Sequence, residues 1–152
     1  VNDNKQLVFN ILKNSFALLL LSLIFPIALQ AQSPVGLWKT IDDESGEAKS
    51  HIKIYKEDGK LYGEVEKILK KSGKTHCEKC PEPHKGKPIL GLRVIWDLEK
   101  SGDEWTEGEI MDPVKGKIYR CTISLDGKDT LKVRGYLGFS VFGRTQEWSR
   151  VK

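Results

Sequence analysis

Cys77-Glu78-Lys79-Cys80, flanked by His76 and His84, is the densest group of reactive side chains in this sequence. Its types and spacing admit three chemistries. In an oxidising compartment the two thiols close a small structural disulfide. Cysteine and histidine in close sequence also suit a tetrahedral zinc site. A Cys-x-x-Cys pair can also shuttle electrons, which calls for a following helix to lower one thiol pKa. Pro81, Pro83 and Gly86 follow instead, with no helical period, so redox work has the least support. A closed zinc site would need both histidines or an outside ligand, because no second Cys-x-x-Cys exists. Compartment therefore favours the disulfide. Cys121 is the odd thiol; it falls on the apolar face of a strand and reads as a small buried hydrophobe, although three cysteines permit three pairings.

Arg134-Gly135-Tyr136 is the second candidate. An Arg and a Tyr two apart on a strand share a face and could clamp a carboxylate, since the guanidinium fork fits its geometry. The pair resembles the Arg-x-Tyr of intracellular fatty-acid-binding proteins. Parity opposes that role: Leu131, Val133 and Leu137 form the better inward set, which turns Arg134 and Tyr136 outward. They remain candidate ligand residues with Trp96 and Tyr119. Gly36-Leu37-Trp38 is the third candidate. It is similar to the Gly-x-Trp of lipocalins, where an arginine of the last strand packs over the indole. Arg144 or Arg150 could serve here, and Arg144 is taken as the closing partner of Trp38. Asp42-Asp43-Glu44 lacks the spacing of a calcium loop and reads as a solvated turn. No serine–histidine–acid set exists, so no catalytic constellation is assigned and no enzyme is expected.

These residues need a scaffold, and glycine punctuation supplies its outline. Gly46, Gly59, Gly73, Gly102, Gly116, Gly127 and Gly138 recur mostly 11 to 14 residues apart. Asp58-Gly59, Ser101-Gly102 and Asp126-Gly127 are turn dipeptides. Strands are expected over 36–41, 48–56, 60–70, 90–98, 104–111, 117–125, 130–137 and 144–151. Tyr119, Cys121, Ile123 and Leu125 alternate with Arg120, Thr122 and Ser124. Leu92, Val94, Trp96 and Leu98 alternate with Arg93 and Asp97. Period-two alternation gives each strand one buried and one wet face. Eight such strands in order make an all-β, eight-stranded antiparallel up-and-down barrel, whose closure removes exposed edges. Residues 71–89 interrupt the rhythm as a long, lysine-rich loop, a kind often functional.

The first 31 residues stand apart. Lys5 and Lys13 precede an apolar run from Phe16 to Leu29, which ends near Ala28 and Ala31. This is the outline of a secretory signal peptide, with cleavage expected after Ala31. The run is short of the roughly 20 residues that cross a bilayer core. Residues 32–152 then form a single barrel domain, periplasmic or secreted, and not an integral membrane protein. The formal charge falls from +4 to +3 when Lys5, Lys13 and Asp3 leave. Acidic and basic residues are interspersed, so no nucleic-acid partner is expected.

Taken together, Gly36-Leu37-Trp38, Ile52-Lys53-Ile54-Tyr55, Gly59-Lys60-Leu61-Tyr62-Gly63, Lys87-Pro88-Ile89-Leu90-Gly91-Leu92, Asp112-Pro113, Gly116-Lys117-Ile118-Tyr119 and the stretch from Leu131 to Trp148 resemble domain-of-unknown-function family 2147, a bacterial secreted family. The resemblance implies a signal peptide and a lipocalin-like barrel, and it assigns no activity. Barrels of this size either fill with side chains or hold one small molecule. The expected function is accordingly to bind a small apolar ligand, a lipid or fatty acid. The alternatives are an envelope protein-interaction or scaffolding module, and a metal-binding or redox protein using the Cys77/Cys80 loop. No cofactor is expected unless zinc occupies that loop.

Overall fold

A computed structural model describes residues 32–70 and 74–152. The expected signal peptide lies outside the described residues. Eight strands follow one another: β1 (Gly36–Ile41), β2 (Ala48–Glu57), β3 (Lys60–Ile68), β4 (Arg93–Ser101), β5 (Glu104–Asp112), β6 (Lys117–Asp126), β7 (Thr130–Tyr136) and β8 (Arg144–Arg150). Each pairs antiparallel with the next, and β8 returns to β1, so the sheet is a closed barrel. The all-β meander expected from the turn spacing is the architecture found. β4 starts three residues later than expected, because Gly91 turns the chain at φ +76° just before it.

The barrel has two unlike ends. Tight turns join β2 to β3, β4 to β5 and β6 to β7 at one end, and the two ends of residues 32–152 lie there too. The longer connections gather at the other. Side chains fill the tight-turn half: Trp38, Leu61, Leu98, Ile123 and Leu131 are completely buried and Trp105 nearly so. Removing these apolar surfaces from water supplies the main drive for closure. Trp38 caps that end. Its Nε1 donates to the Pro34 carbonyl at 2.7 Å, and the Arg150 guanidinium lies 4.1 Å from its ring centroid. Arg150 also donates to the carbonyls of Lys128, Val35 and Ser33. The closing arginine is therefore Arg150 and not Arg144. Register decides this, since Trp38 faces Arg150 across the β1–β8 pair. Arg144 is six residues away on the same face of β8, about 20 Å along the strand.

Strand β4 departs from simple alternation. Leu61 pairs with Leu98, Gly63 with Ile95 and Glu64 with Arg93, so β4 carries extra residues at two places. Asp97 adopts φ +61° at one of them, and Glu107 on β5 adopts φ +62° close by. Each bulge reverses side-chain parity. Ile95 consequently points inward with Val94 and Leu98, and Trp96 turns out. The expectation that Leu92, Val94, Trp96 and Leu98 share one inner face fails at Trp96. Its Nε1 donates to Glu109 at 3.0 Å, and its ring stacks on His84 with centroids 5.6 Å apart. Gly108 sits opposite this distortion. A Cβ there would lie 2.4 Å from the Trp96 carbonyl oxygen, so a side chain cannot be accommodated without moving backbone.

Cys121 is fully buried and free. Burial pushes its thiol pKa up to about 12, because the ionised form would lose its hydration. Folding therefore favours the neutral thiol. That contribution is intact below the unfolded thiol pKa near 9 and is lost as pH rises from there toward 12. Cys121 should resist iodoacetamide in the native protein at pH 8 and react once the chain is unfolded in urea. Mass spectrometry of the alkylated protein checks this, and rapid native labelling would contradict it.

Candidate functional site

The half of the barrel nearer the long connections is hollow. A cavity of about 390 Å³ occupies it. Its wall is apolar: Ile52, Val65, Ile68, Ile89, Val94, Ile110, Met111, Val133 and Trp148, with Gly135 and the ring of Tyr119. Strand parity places those of β7 and β8. Val133 and Gly135 follow Leu131 on the inner face of β7, and Gln146 and Trp148 occupy the inner face of β8. Gly135 matters most for volume. A Cβ there would meet Tyr119 and Ile110 at ordinary contact distances of 3.5 and 3.7 Å, so glycine leaves space that a side chain would take.

Polar groups in this wall are few and mostly paired. The Thr40 hydroxyl, 5% exposed, shares a 2.8 Å hydrogen bond with the Ser50 hydroxyl. Trp148 Nε1 donates to Gln146 at 2.9 Å. Charge is confined to the rim, where Asp42, Asp43, Glu44, Lys49, Lys70, Lys74, Asp112, Lys115 and Arg144 meet. Arg144 binds Asp43 at 3.0 Å, Gln146 donates to the same carboxylate at 2.6 Å, and Lys70 lies 3.2 Å from Asp42. The Ser45 backbone N–H, together with Lys70, holds the Asp42 carboxyl far below the usual carboxylate range. Lys74 and Lys115 form no ion pair among the described residues.

The long loop forms one side of this rim and is an ordered element. His76 bridges to Pro88, Cys77 N–H donates to the Lys87 carbonyl, and Ile89 N–H donates to the Thr75 carbonyl. Cys77 and Cys80 are joined in a disulfide with Cα atoms 5.4 Å apart. Both are buried against the Pro113 carbonyl. Gly116 lets the loop come close: a Cβ there would lie 2.0 Å from the Lys79 carbonyl oxygen. The loop thus packs on the β5–β6 turn and delivers Ile89 to the cavity wall. Its sulfurs are bonded to each other, so neither is a thiolate that could hold zinc. His76 instead pairs with the Thr75 hydroxyl at 2.9 Å, and His84 stacks on Trp96. No group of three or more metal-ligating side chains occurs among the described residues.

The disulfide spans only three residues in sequence, so it restricts the unfolded chain little. Replacing both cysteines by serine should cost no more than about 2 kcal/mol in urea unfolding. The barrel should persist by circular dichroism. A loss of the sheet signal would show that the loop organises the fold rather than resting on it.

The four residues expected at a ligand site separate. Tyr119 lines the cavity. Trp96 faces out on the bulged strand. Arg134 and Tyr136 also stand on the outer face of β7. Arg134 donates to the Ser140 and Val141 carbonyls and to the Thr145 hydroxyl. It holds the β7–β8 connection, which contains a short 3-10 turn at Ser140–Phe142. Tyr136 packs beside Gly143, where a Cβ would come within 2.8 Å of it. The residues that make the cavity, Ile68, Ile89, Ile110, Met111 and Val133 among them, carry no chemical signature in sequence. Inward parity could have found Val133, but Ile110 and Met111 are neighbours on β5 and Ile89 lies in the loop, so parity alone does not place those three.

A closed eight-stranded barrel, plugged at one end and hollow toward the other, is lipocalin-like. One solved structure with this fold is HP1028 from Helicobacter pylori, described as belonging to the lipocalin family. It superposes with a TM-score of 0.71 at 18% identity over 80% of this chain and 85% of its own. The chain itself belongs to the family described as uncharacterized protein conserved in bacteria (DUF2147), whose model matches residues 36–150. No curated protein matches it. No helix among the described residues is long and apolar enough to cross a membrane.

Proposed function

We propose that this protein binds one small, largely apolar molecule in the open half of its barrel, a lipid or fatty acid. The cavity carries the reading. Its volume of about 390 Å³ falls within the roughly 300–1,000 Å³ of small-molecule sites. Its wall is aliphatic and aromatic, and its charge is held at the rim. A single-chain amphiphile matches that division: the chain lies against Ile110, Val133 and Trp148, and an anionic head meets Lys74 and Lys115. Tyr119 lines the same wall. The protein is exported in this reading, to the periplasm or beyond. The Cys77–Cys80 disulfide supports that, since such bonds persist in oxidising compartments.

Titration of the purified protein with an environment-sensitive fluorescent fatty acid tests the reading. Saturable binding at one site, displaced by unlabelled fatty acid, is expected. Native mass spectrometry of protein taken from its own envelope should show the adduct directly. A protein that stays apolar-ligand-free in both measurements does not have this function.

A further inference from the structure

The open end of the barrel is apolar on its outside as well. Among the described residues, seven large hydrophobic side chains are exposed, and six of them lie at that end: Ile41, Leu90, Leu137, Phe139, Val141 and Phe142. The last three are 78, 79 and 82% exposed on a connection of only a few residues. They are held out rather than left loose. Arg134 Nη2 grips the Ser140 carbonyl at 2.6 Å, and Gly143 lets the returning chain pass tight against Tyr136. A guanidinium committed to fixing a solvent-facing hydrophobic turn means that the ordering cost is met before any partner arrives.

From these features we infer that the open end docks on an anionic lipid bilayer, with Phe139, Val141 and Phe142 entering the headgroup region. Charge favours this occupant. Residues 74–89, on the same end, carry four lysines against two glutamates, and Lys74, Lys79, Lys85 and Lys87 are exposed, while across the mouth Asp42 and Asp43 are paired with Lys70 and Arg144. Aromatic and aliphatic residues on the same end as lysines are the composition of an interfacial membrane contact, and each lysine near an anionic surface adds attraction. Area disfavours a protein partner. The projecting turn offers on the order of 500 Å² from two aromatic and two aliphatic side chains, whereas a stable protein interface buries about 800 Å² on each side. Docking in this pose turns the cavity mouth toward the bilayer, so a lipid would pass between membrane and barrel without crossing water. The inference rests on the cavity being a ligand site only for this last consequence.

Vesicle flotation tests it. The whole protein should float with vesicles of phosphatidylethanolamine and phosphatidylglycerol at low salt, less at high salt, and poorly with phosphatidylcholine alone. F139S/F142S should lower partitioning at least about tenfold, and K85E/K87E should remove the preference for anionic vesicles. In lipid-free solution F139S/F142S should bind the fluorescent fatty acid as the wild type does, because neither side chain lines the cavity. Failure of the wild type to float, or equal flotation of F139S/F142S, overturns the inference. So does a dimer in sedimentation that F139S/F142S dissolves, which would make the turn a contact between copies. Flotation without fatty-acid binding would leave the docking surface in place and remove the ligand reading.

Discussion

Gly135→Phe should abolish binding of the fluorescent fatty acid while leaving the barrel folded. The inner face of β7 offers the position, and the space beyond Gly135 is the cavity itself. A Cβ fits there beside Tyr119 and Ile110, so the substitution begins without a clash and fills the volume a ligand would use. Affinity should fall by more than about tenfold, the equivalent of 1.4 kcal/mol. Unlike an insertion into a packed core, which costs about 1–3 kcal/mol, this one enters empty space, and the unfolding midpoint should move little. Tyr136→Phe is the matched control. It alters the next residue on the strand, but on the outer face, and should leave binding as it was. Equal binding by Gly135→Phe and wild type would place the ligand elsewhere.

Trp38→Ala should produce the largest loss of stability. The indole is wholly buried, and removing it costs about 3–5 kcal/mol in a core that relaxes incompletely. The stacked arginine loses its aromatic partner as well, worth about 0.5–2 kcal/mol. A fall of roughly 10–20 °C in thermal midpoint is expected. The two arginines of β8 should then differ. Arg150→Ala strips the cover from Trp38 and leaves three carbonyls without their donor, so about 1–3 kcal/mol should be lost. Arg144→Ala breaks a pair whose arginine side chain is 64% exposed, and such pairs contribute about 0–1 kcal/mol. Urea unfolding of the three variants checks the order. Equal losses from Arg144→Ala and Arg150→Ala would mean that the barrel is not closed through Trp38.

The contrast between those arginines shows what sequence could and could not reveal. Both lie on the inward face of β8 by parity, one at each end of the closing strand. Which one meets Trp38 depends on the β1–β8 register, a long-range property with no local signature. The barrel itself is legible because Gly59, Gly102 and Gly127 each mark a tight turn and β6 and β7 alternate cleanly. Trp96 leaves its expected face for a different reason. The bulge near it puts Asp97, not glycine, at positive φ, so no residue type announced the change of parity. The cavity was the least legible feature. Its aliphatic wall reads in sequence like any packed core, and whether facing side chains meet depends on Gly135 and on the reach of the loop carrying Ile89.

The seam between β1 and β8 is joined at only two register positions, Trp38 with Arg150 and Lys39 with Ser149, whereas β1 and β2 share six. Both positions lie toward the plugged end. Beside the cavity the two strands face each other without a continuous ladder, and Asp43 clasps Arg144 and Gln146 there by side chains alone. Amide hydrogen exchange should therefore be fastest along this line, since local opening concentrates where backbone bonds are few. A wall that parts along one edge while its opposite end stays pinned behaves as a side slit. For the proposed apolar ligand, a chain longer than the resting cavity would lie with part of its length through that slit, so the length accepted would depend on the seam as well as on the enclosed volume.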